Sequence, residues 1–305
     1  MDLRQLAALV AVADEGSFSA AARALNTVQS NVSTHIARLE RELGAVLVDR
    51  AGGMLTEEGE VVVERARRIQ RELESLRTDV ASLLHQVSGQ VRLGCIGTVS
   101  RWLVPRLLVL VKERHPDVDA IIVDATTTSL VPQLLSETLD LAVLNLPLAE
   151  PELLTEQLFD EERVLVVPGD HPLAERERID FAELGQHDLL LEPQGTPFRD
   201  ELDRAAAAVG VTLHAQAEVD GIRLLSTLAF EGFGPAVLPA TAAPPWIDAT
   251  CRRVGVDGLL PRSVGLARNQ RGRLSAPARA VQDVIRDIVR DADQSGIRRA
   301  FAEGA

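Results

Sequence analysis

Through residue 87, apolar residues recur at helical spacing. Beyond residue 90 they fall into short runs alternating with helical stretches. Leu3, Leu6, Leu9, Val10 and Ala13 share one face of a helix over residues 3–13. Gly16 breaks the pattern, and Ser19 is placed to cap a short alanine-rich helix from Ala20 to Leu25. In "LNTVQSNVSTHIARLERELG" (residues 25–44), Val32, Ile36, Leu39 and Leu43 form one stripe at spacings of 4, 3 and 4. Thr27 or a neighbouring hydroxyl caps this helix and Gly44 stops it.

The front of the third helix raises a functional question. It carries Gln29, Ser30, Asn31, Ser33, Thr34 and His35, with Arg38 one turn on. Two short helices tightly joined, the second with a polar front, make a helix-turn-helix pattern. Amides, hydroxyls and a guanidinium can meet base edges in the major groove, and the helix N-terminus suits phosphate. A three-helix bundle with a solvated face has the same periodicity. Next, "AVLVDRAGGMLTEEG" reads as a small wing: a strand at Ala45–Val48, a Gly52-Gly53 turn, a return at Met54-Leu55, and Arg50 available to phosphate.

Residues 57–87 form the longest helical pattern, capped by Thr56 and weakened at Gly59. Val62, Ala66, Ile69, Leu73, Leu76, Val80, Leu83 and Val87 repeat at 4, 3, 4, 3, 4, 3 and 4. That is a heptad seam on a helix of about 45 Å at ~1.5 Å per residue. Pairing with a second copy covers such a seam, and so does packing on the chain's own domain. Ser88-Gly89 reads as a hinge.

From residue 91 the rhythm is strand–helix–strand. "QVRLGCIG", "VDAIIVDA", "DLAVLNL", "ERVLVVP", "HDLLLEP", "TLHAQAEV", "PAVLP", "CRRVGV" and "RSVGLARN" read as strands, with amphipathic segments between them and a last helix in "SAPARAVQDVIRDIVRDA". Two α/β subdomains are expected, the first about 90–160 and 269–293, the second about 161–268. Residues 294–305 are expected to fray. Ligands in such folds collect at strand C-ends and helix N-ends, in the cleft between subdomains.

Composition narrows the choice. The apolar share of 46 % can fill real cores, and the longest apolar runs are too short to span a bilayer. No basic leader followed by an apolar stretch is visible at the N-terminus, so a cytoplasmic setting without membrane partners is expected. Cys95 and Cys251 are the only cysteines, which suits a reduced compartment better than a disulfide or metal framework. The net charge is −13, and residues 1–90 hold 10 arginines against 13 acids. Any DNA contact therefore rests on local arginines, helix ends and assembly, not on a basic domain.

The run "DLRQLAALVAVADEGSFSAAARALNTVQSNVSTHIARLERELGAVLVDR…LTEEG" resembles the LysR-type transcriptional regulators. "RWLVPRLLVLVKERHPDV", "LDLAV", "VPGDHPLA" and "GFGPAVLPA" sit where that family has comparable segments, so the likeness spans the chain. It implies an N-terminal winged helix-turn-helix (1–58), a dimerising linker helix and hinge (59–89), and a periplasmic-binding-protein-like (type 2) effector domain of two α/β subdomains (90–293). It further implies double-stranded promoter DNA, a small-molecule effector, a dimer or tetramer of the chain itself and RNA polymerase as partners, with no cofactor. Carried onto this sequence, the effector cleft draws on Thr98, Ser100, Arg101, Thr127, Thr128, Asn145, Pro147, Pro197, Phe198 and Asp220. Hydroxyls, a helix start and Arg101 suggest a small organic acid; Phe198 and Phe230 allow it an apolar body.

Three departures stand out. The family often has proline where Ser30 stands and Arg or Gln near Thr34 and His35, so its operators do not transfer. The wing has one basic residue where two are common. Glu137 replaces a glycine common before "LDLA".

Enzymatic signatures are missing from the sequence. It contains no HExxH, G-x-S-x-G, P-loop or G-x-G-x-x-G, and its six histidines form no metal-ligand spacing. The remaining alternative is a solute-binding or metabolic α/β protein that does not read DNA.

Overall fold

A computed structural model of the chain describes residues 1–49, 54–82, 87–243, 250–292 and 297–299. Two compact units divide near Leu84.

The first unit holds α1 (Leu3–Glu15), α2 (Phe18–Ala24), α3 (Gln29–Leu43), β1 (Val48–Asp49), β2 (Met54–Leu55) and α4 (Glu57–Ser82). Asp2 and Gln5 form a capping box at the start of α1, and Gly16 ends it in the left-handed region at φ 69°. Ser17, not Ser19, caps α2 by accepting from the Ala20 N–H. The helix therefore starts two residues earlier than expected, because Ser17 holds the extended backbone a cap needs. Leu9, Val12, Ala21, Val32, Ile36, Leu39 and Leu47 are buried in one core. β1 and β2 pair antiparallel, with Val48 opposite Leu55. The strand thus starts at Val48 and not Ala45, because Glu40 of α3 takes the Leu47 and Val48 N–H groups instead.

Gly59 is no weak point. A Cβ there would lie 2.0 Å from the Leu47 carbonyl oxygen, so the start of α4 lies against the root of the wing only as glycine. Val63 and Ala66, further along α4, are buried in the same core. Past them the seam is open: Ile69, Leu73, Leu76 and Val80 are 38, 37, 61 and 56 % exposed.

The second unit contains two six-stranded mixed sheets. β3 (Ser88–Cys95), β4 (Asp117–Asp124), β5 (Leu141–Leu146), β6 (Leu153–Glu161), β13 (Arg262–Asn269) and β14 (Ile297–Arg299) form one, in the order β14-β6-β13-β5-β3-β4. α5 (Gly97–Arg114), α6 (Thr127–Leu135) and α10 (Ala276–Arg290) belong with this sheet, sharing a core through Leu103, Leu130, Val281 and Ile285. The other comprises β7 (Arg163–Pro168), β8 (Arg178–Ile179), β9 (Asp188–Leu191), β10 (His214–Glu218), β11 (Ala236–Pro239) and β12 (Cys251–Val256), in the order β10-β9-β11-β7-β12-β8. Its two faces carry separate cores, one with α7 (Phe181–Leu184) and α8 (Pro197–Ala208), the other with α9 (Ile222–Phe230).

Four expectations change. Ser88 and Gly89 are not a hinge but the first rungs of β3, paired with Asp117 and Val118, and Val87 precedes that strand instead of extending the helix. Gly97 opens α5 and does not end a strand. β13 pairs with β5 and β6, so residues 262–268 join the first subdomain, because an antiparallel ladder fixes them there. Ile297–Arg299, within the tail expected to fray, pair with the otherwise free edge of β6, where unpaired backbone groups favour an added strand. The Gly52-Gly53 turn lies outside the described residues.

Candidate DNA-reading face and effector cleft

Gln29, Ser30, Asn31, Thr34 and Arg38 are exposed along the front of α3, while Ser33 and His35 are half-buried. Several are held in place. The Ser19 hydroxyl donates to Gln29 Oε1 at 3.1 Å, Asn31 Nδ2 donates to Thr27 Oγ1 at 3.0 Å, and Thr34 Oγ1 donates to the Ser30 carbonyl at 2.7 Å. Ser19 and Thr27, expected as caps, instead position this front. The N-cap of α3 is Val28, which has no side-chain oxygen to offer. Among the described residues His35 Nδ1 is buried without a hydrogen-bond partner. Arg50 lies outside the described residues, as does Leu83 of the seam.

In the second unit, the chain crosses between sheets at 161–163 and 256–262, and Glu161 faces Arg262 across the ladder at those crossings. Glu161 is fully buried. It accepts from Arg262 Nε at 2.7 Å and from the Thr241 backbone N–H. Arg262 also donates to Thr98 Oγ1 at 2.6 Å and to Asn145 Oδ1 at 3.3 Å. The network ties α5 and β5 of the first subdomain to the segment after β11 of the second. Thr98 and Asn145 both accept from the Arg262 guanidinium, which the sequence reading missed. Its signal was weak: a lone arginine opening a late strand.

The other expected residues scatter in role. The Ser100 hydroxyl donates to the Gly97 carbonyl, and Arg101 is exposed. The Thr127 hydroxyl accepts from the Asn145 N–H at 3.1 Å. Thr126 caps α6, and Thr128 Oγ1 contacts its hydroxyl at 2.9 Å. Pro147 is exposed and follows a cis peptide bond. Pro197 is the first residue of α8. Phe198 packs on the core of the second subdomain with Arg163 over its ring at 5.0 Å, so it is occupied already. Asp220 is exposed and caps nothing, since Gly221 takes the N-cap of α9.

Two further groups lie at the same strand ends. Arg223 of α9 donates to Asp124 Oδ2 of β4 at 2.5 Å, joining the second subdomain to the first. Gly97 gives them room: a Cβ there would meet Asp124 Oδ1 at 3.0 Å and Arg223 Cδ at 3.3 Å. Glu192, after β9, has its carboxyl raised above the ordinary range, chiefly by burial and also by the Asp220 charge, against a lowering hydrogen bond from Thr196.

The family model described as LysR substrate binding domain matches residues 84–290, and that for the bacterial regulatory helix-turn-helix protein, lysR family, matches residues 3–60. The chain belongs to the LysR family of transcriptional regulators. Relatives of this LysR-type regulator include the DNA-binding transcriptional dual regulator OxyR of Escherichia coli K12, 31 % identical over 80 % of this chain and 81 % of its own. A probable hydrogen peroxide-inducible genes activator of Streptomyces viridosporus is 36 % identical over 79 % of this chain and 78 % of its own. Among solved structures, a full-length OxyR cysteine variant from Pseudomonas aeruginosa matches with a TM-score of 0.70, 25 % identity and 97 % of both chains. Full-length CbnR complexed with its target DNA matches in fold at a TM-score of 0.68 and 23 % identity, covering 95 % of this chain and 99 % of that one. The regulator thus has the family's helix-turn-helix, linker helix and two-lobed α/β effector domain.

Proposed function

We propose that this LysR-type regulator binds promoter DNA as a dimer or tetramer and changes that binding when a small organic acid enters the cleft of its effector domain. The exposed Ile69–Val80 seam supports pairing of the long helices, which would set two α3 fronts at a fixed spacing on a pseudo-palindromic site. Contact with RNA polymerase would follow from altered DNA geometry.

The observation that carries the ligand class is Arg223. It is 62 % exposed at a subdomain junction and held there by a carboxylate of the chain itself, Asp124. An effector carboxylate can take Asp124's place. Arg101, the cation expected for this role, is exposed and has no such counterpart among the described residues. Phe198 drops out as a wall for the effector body. Anisotropy titrations of upstream DNA with a panel of small carboxylates would test the reading. A responsive acid should lose most of its effect in Arg223→Gln and keep it in Arg101→Gln; equal loss in both, or none, argues against it.

The relatives' names suggest a second reading, response to hydrogen peroxide. Thiol-based sensing needs an accessible thiolate. Cys95 and Cys251 are 0 and 1 % exposed, in two different cores. Burial pushes the Cys95 thiol up, and Cys251 Sγ lies 3.6 Å from the Phe230 carbonyl oxygen. Both features favour a ligand over thiol oxidation. Peroxide treatment should therefore leave both cysteines reduced by mass spectrometry and DNA affinity unchanged.

A further inference from the structure

The N-cap of α3 breaks a local rule. Helices prefer Ser, Thr, Asp or Asn at that position, since the side-chain oxygen satisfies a free N–H. This helix has Val28, with extended backbone (φ −99°, ψ 150°) and no side-chain cap. The side chain is not compensated by burial: Val28 is 59 % exposed, whereas Val32, one turn further, is fully buried. Its neighbours are the exposed Gln29, Ser30 and Asn31. Two of these have side chains pinned from behind, Gln29 by Ser19 and Asn31 by Thr27. The helix front is therefore a polar surface of fixed geometry with one apolar knob at its leading edge.

Such a knob sits badly against phosphate. In the major groove the one apolar group on a base-pair edge is the C5 methyl of thymine. Resting on the DNA-reading role of α3, we propose that Val28 is a specificity-determining residue that selects a thymine in each half-site by packing its methyls on that C5 methyl. The bases read by Gln29 and its neighbours lie beside it. The side chain that forgoes the helix cap thus supplies a contact a hydroxyl would not.

The test uses full-length protein and duplexes selected by it from a random-sequence pool, with each thymine replaced singly by deoxyuridine. That change deletes one methyl and leaves every hydrogen bond intact. One position per half-site should weaken binding by roughly fourfold, the worth of one buried methyl. In Val28→Ala the thymine duplex should fall by a similar factor, and replacement with deoxyuridine should then cost nothing further. Val28→Ser restores a cap and should hold or raise the melting temperature while binding both duplexes equally, which separates reading from folding. The proposal is overturned if uracil is tolerated at every position, as expected when the methyls rest on deoxyribose, or if Val28→Ala discriminates thymine from uracil as well as the parent does. Failure to select any duplex at low salt would instead remove the DNA-reading role itself.

Discussion

Glu137 is the residue at which the chain departs from a glycine and keeps the glycine's backbone. Its φ is 58°, and the Thr138 N–H reaches back to the Gln133 carbonyl at 2.8 Å, closing α6 in a left-handed turn. The turn a glycine would make is therefore retained, at the steric cost of a Cβ in that region. Glu137→Gly should stabilise the effector domain by up to ~1 kcal/mol, after the entropy of the unfolded glycine is subtracted; a thermal melt reads this. The Glu161–Arg262 pair behaves oppositely. Arg262→Leu leaves a fully buried carboxylate without its cation and should cost about 3–5 kcal/mol in urea denaturation. Adding Glu161→Gln to that variant should recover part of the loss, because it removes the orphaned charge.

At the scale of elements, the decisive contact is between the start of α4 and the root of the wing. Gly59 abuts the Leu47 carbonyl, and Thr56 donates its hydroxyl to the Val46 carbonyl at 2.7 Å. Backbone oxygen cannot swing aside as a side chain can. Gly59→Ala should therefore lower the stability of the first unit by about 1–3 kcal/mol, seen as an earlier first transition in chemical denaturation and weaker DNA binding. α3 is anchored by its fully buried stripe of Val32, Ile36 and Leu39, and at its exposed front Ser19 and Thr27 hold Gln29 and Asn31.

For the whole molecule, two features bear on regulation. The first is the uncovered Ile69–Val80 seam. Leu73→Glu with Leu76→Glu should reduce the assembly seen by sedimentation velocity while leaving the effector domain's melting unchanged. The second is the Arg223–Asp124 pair between subdomains, too exposed to add much stability alone. In the proposed mechanism its use would be conformational: a ligand that binds two cleft states unequally needs only ~1–3 kcal/mol of coupling to change DNA affinity.

The sequence by itself determined the helix-turn-helix, the polar front of α3 and the strand–helix alternation of the effector domain. Each is a periodicity of apolar residues enforced by local geometry, so each is legible without neighbours. Helix starts were less so: Ser17 and Ser19 are equally good caps on paper, and only the backbone at Ser17 decides. Tertiary structure alone decided that β13 returns to the first sheet, that Ile297–Arg299 edge β6, that Gly59 is required, and which carboxylates Arg262 and Arg223 meet. These depend on residues from 12 (Gly59 and Leu47) to 164 (Thr98 and Arg262) positions apart. No pattern along one segment encodes a partner that distant.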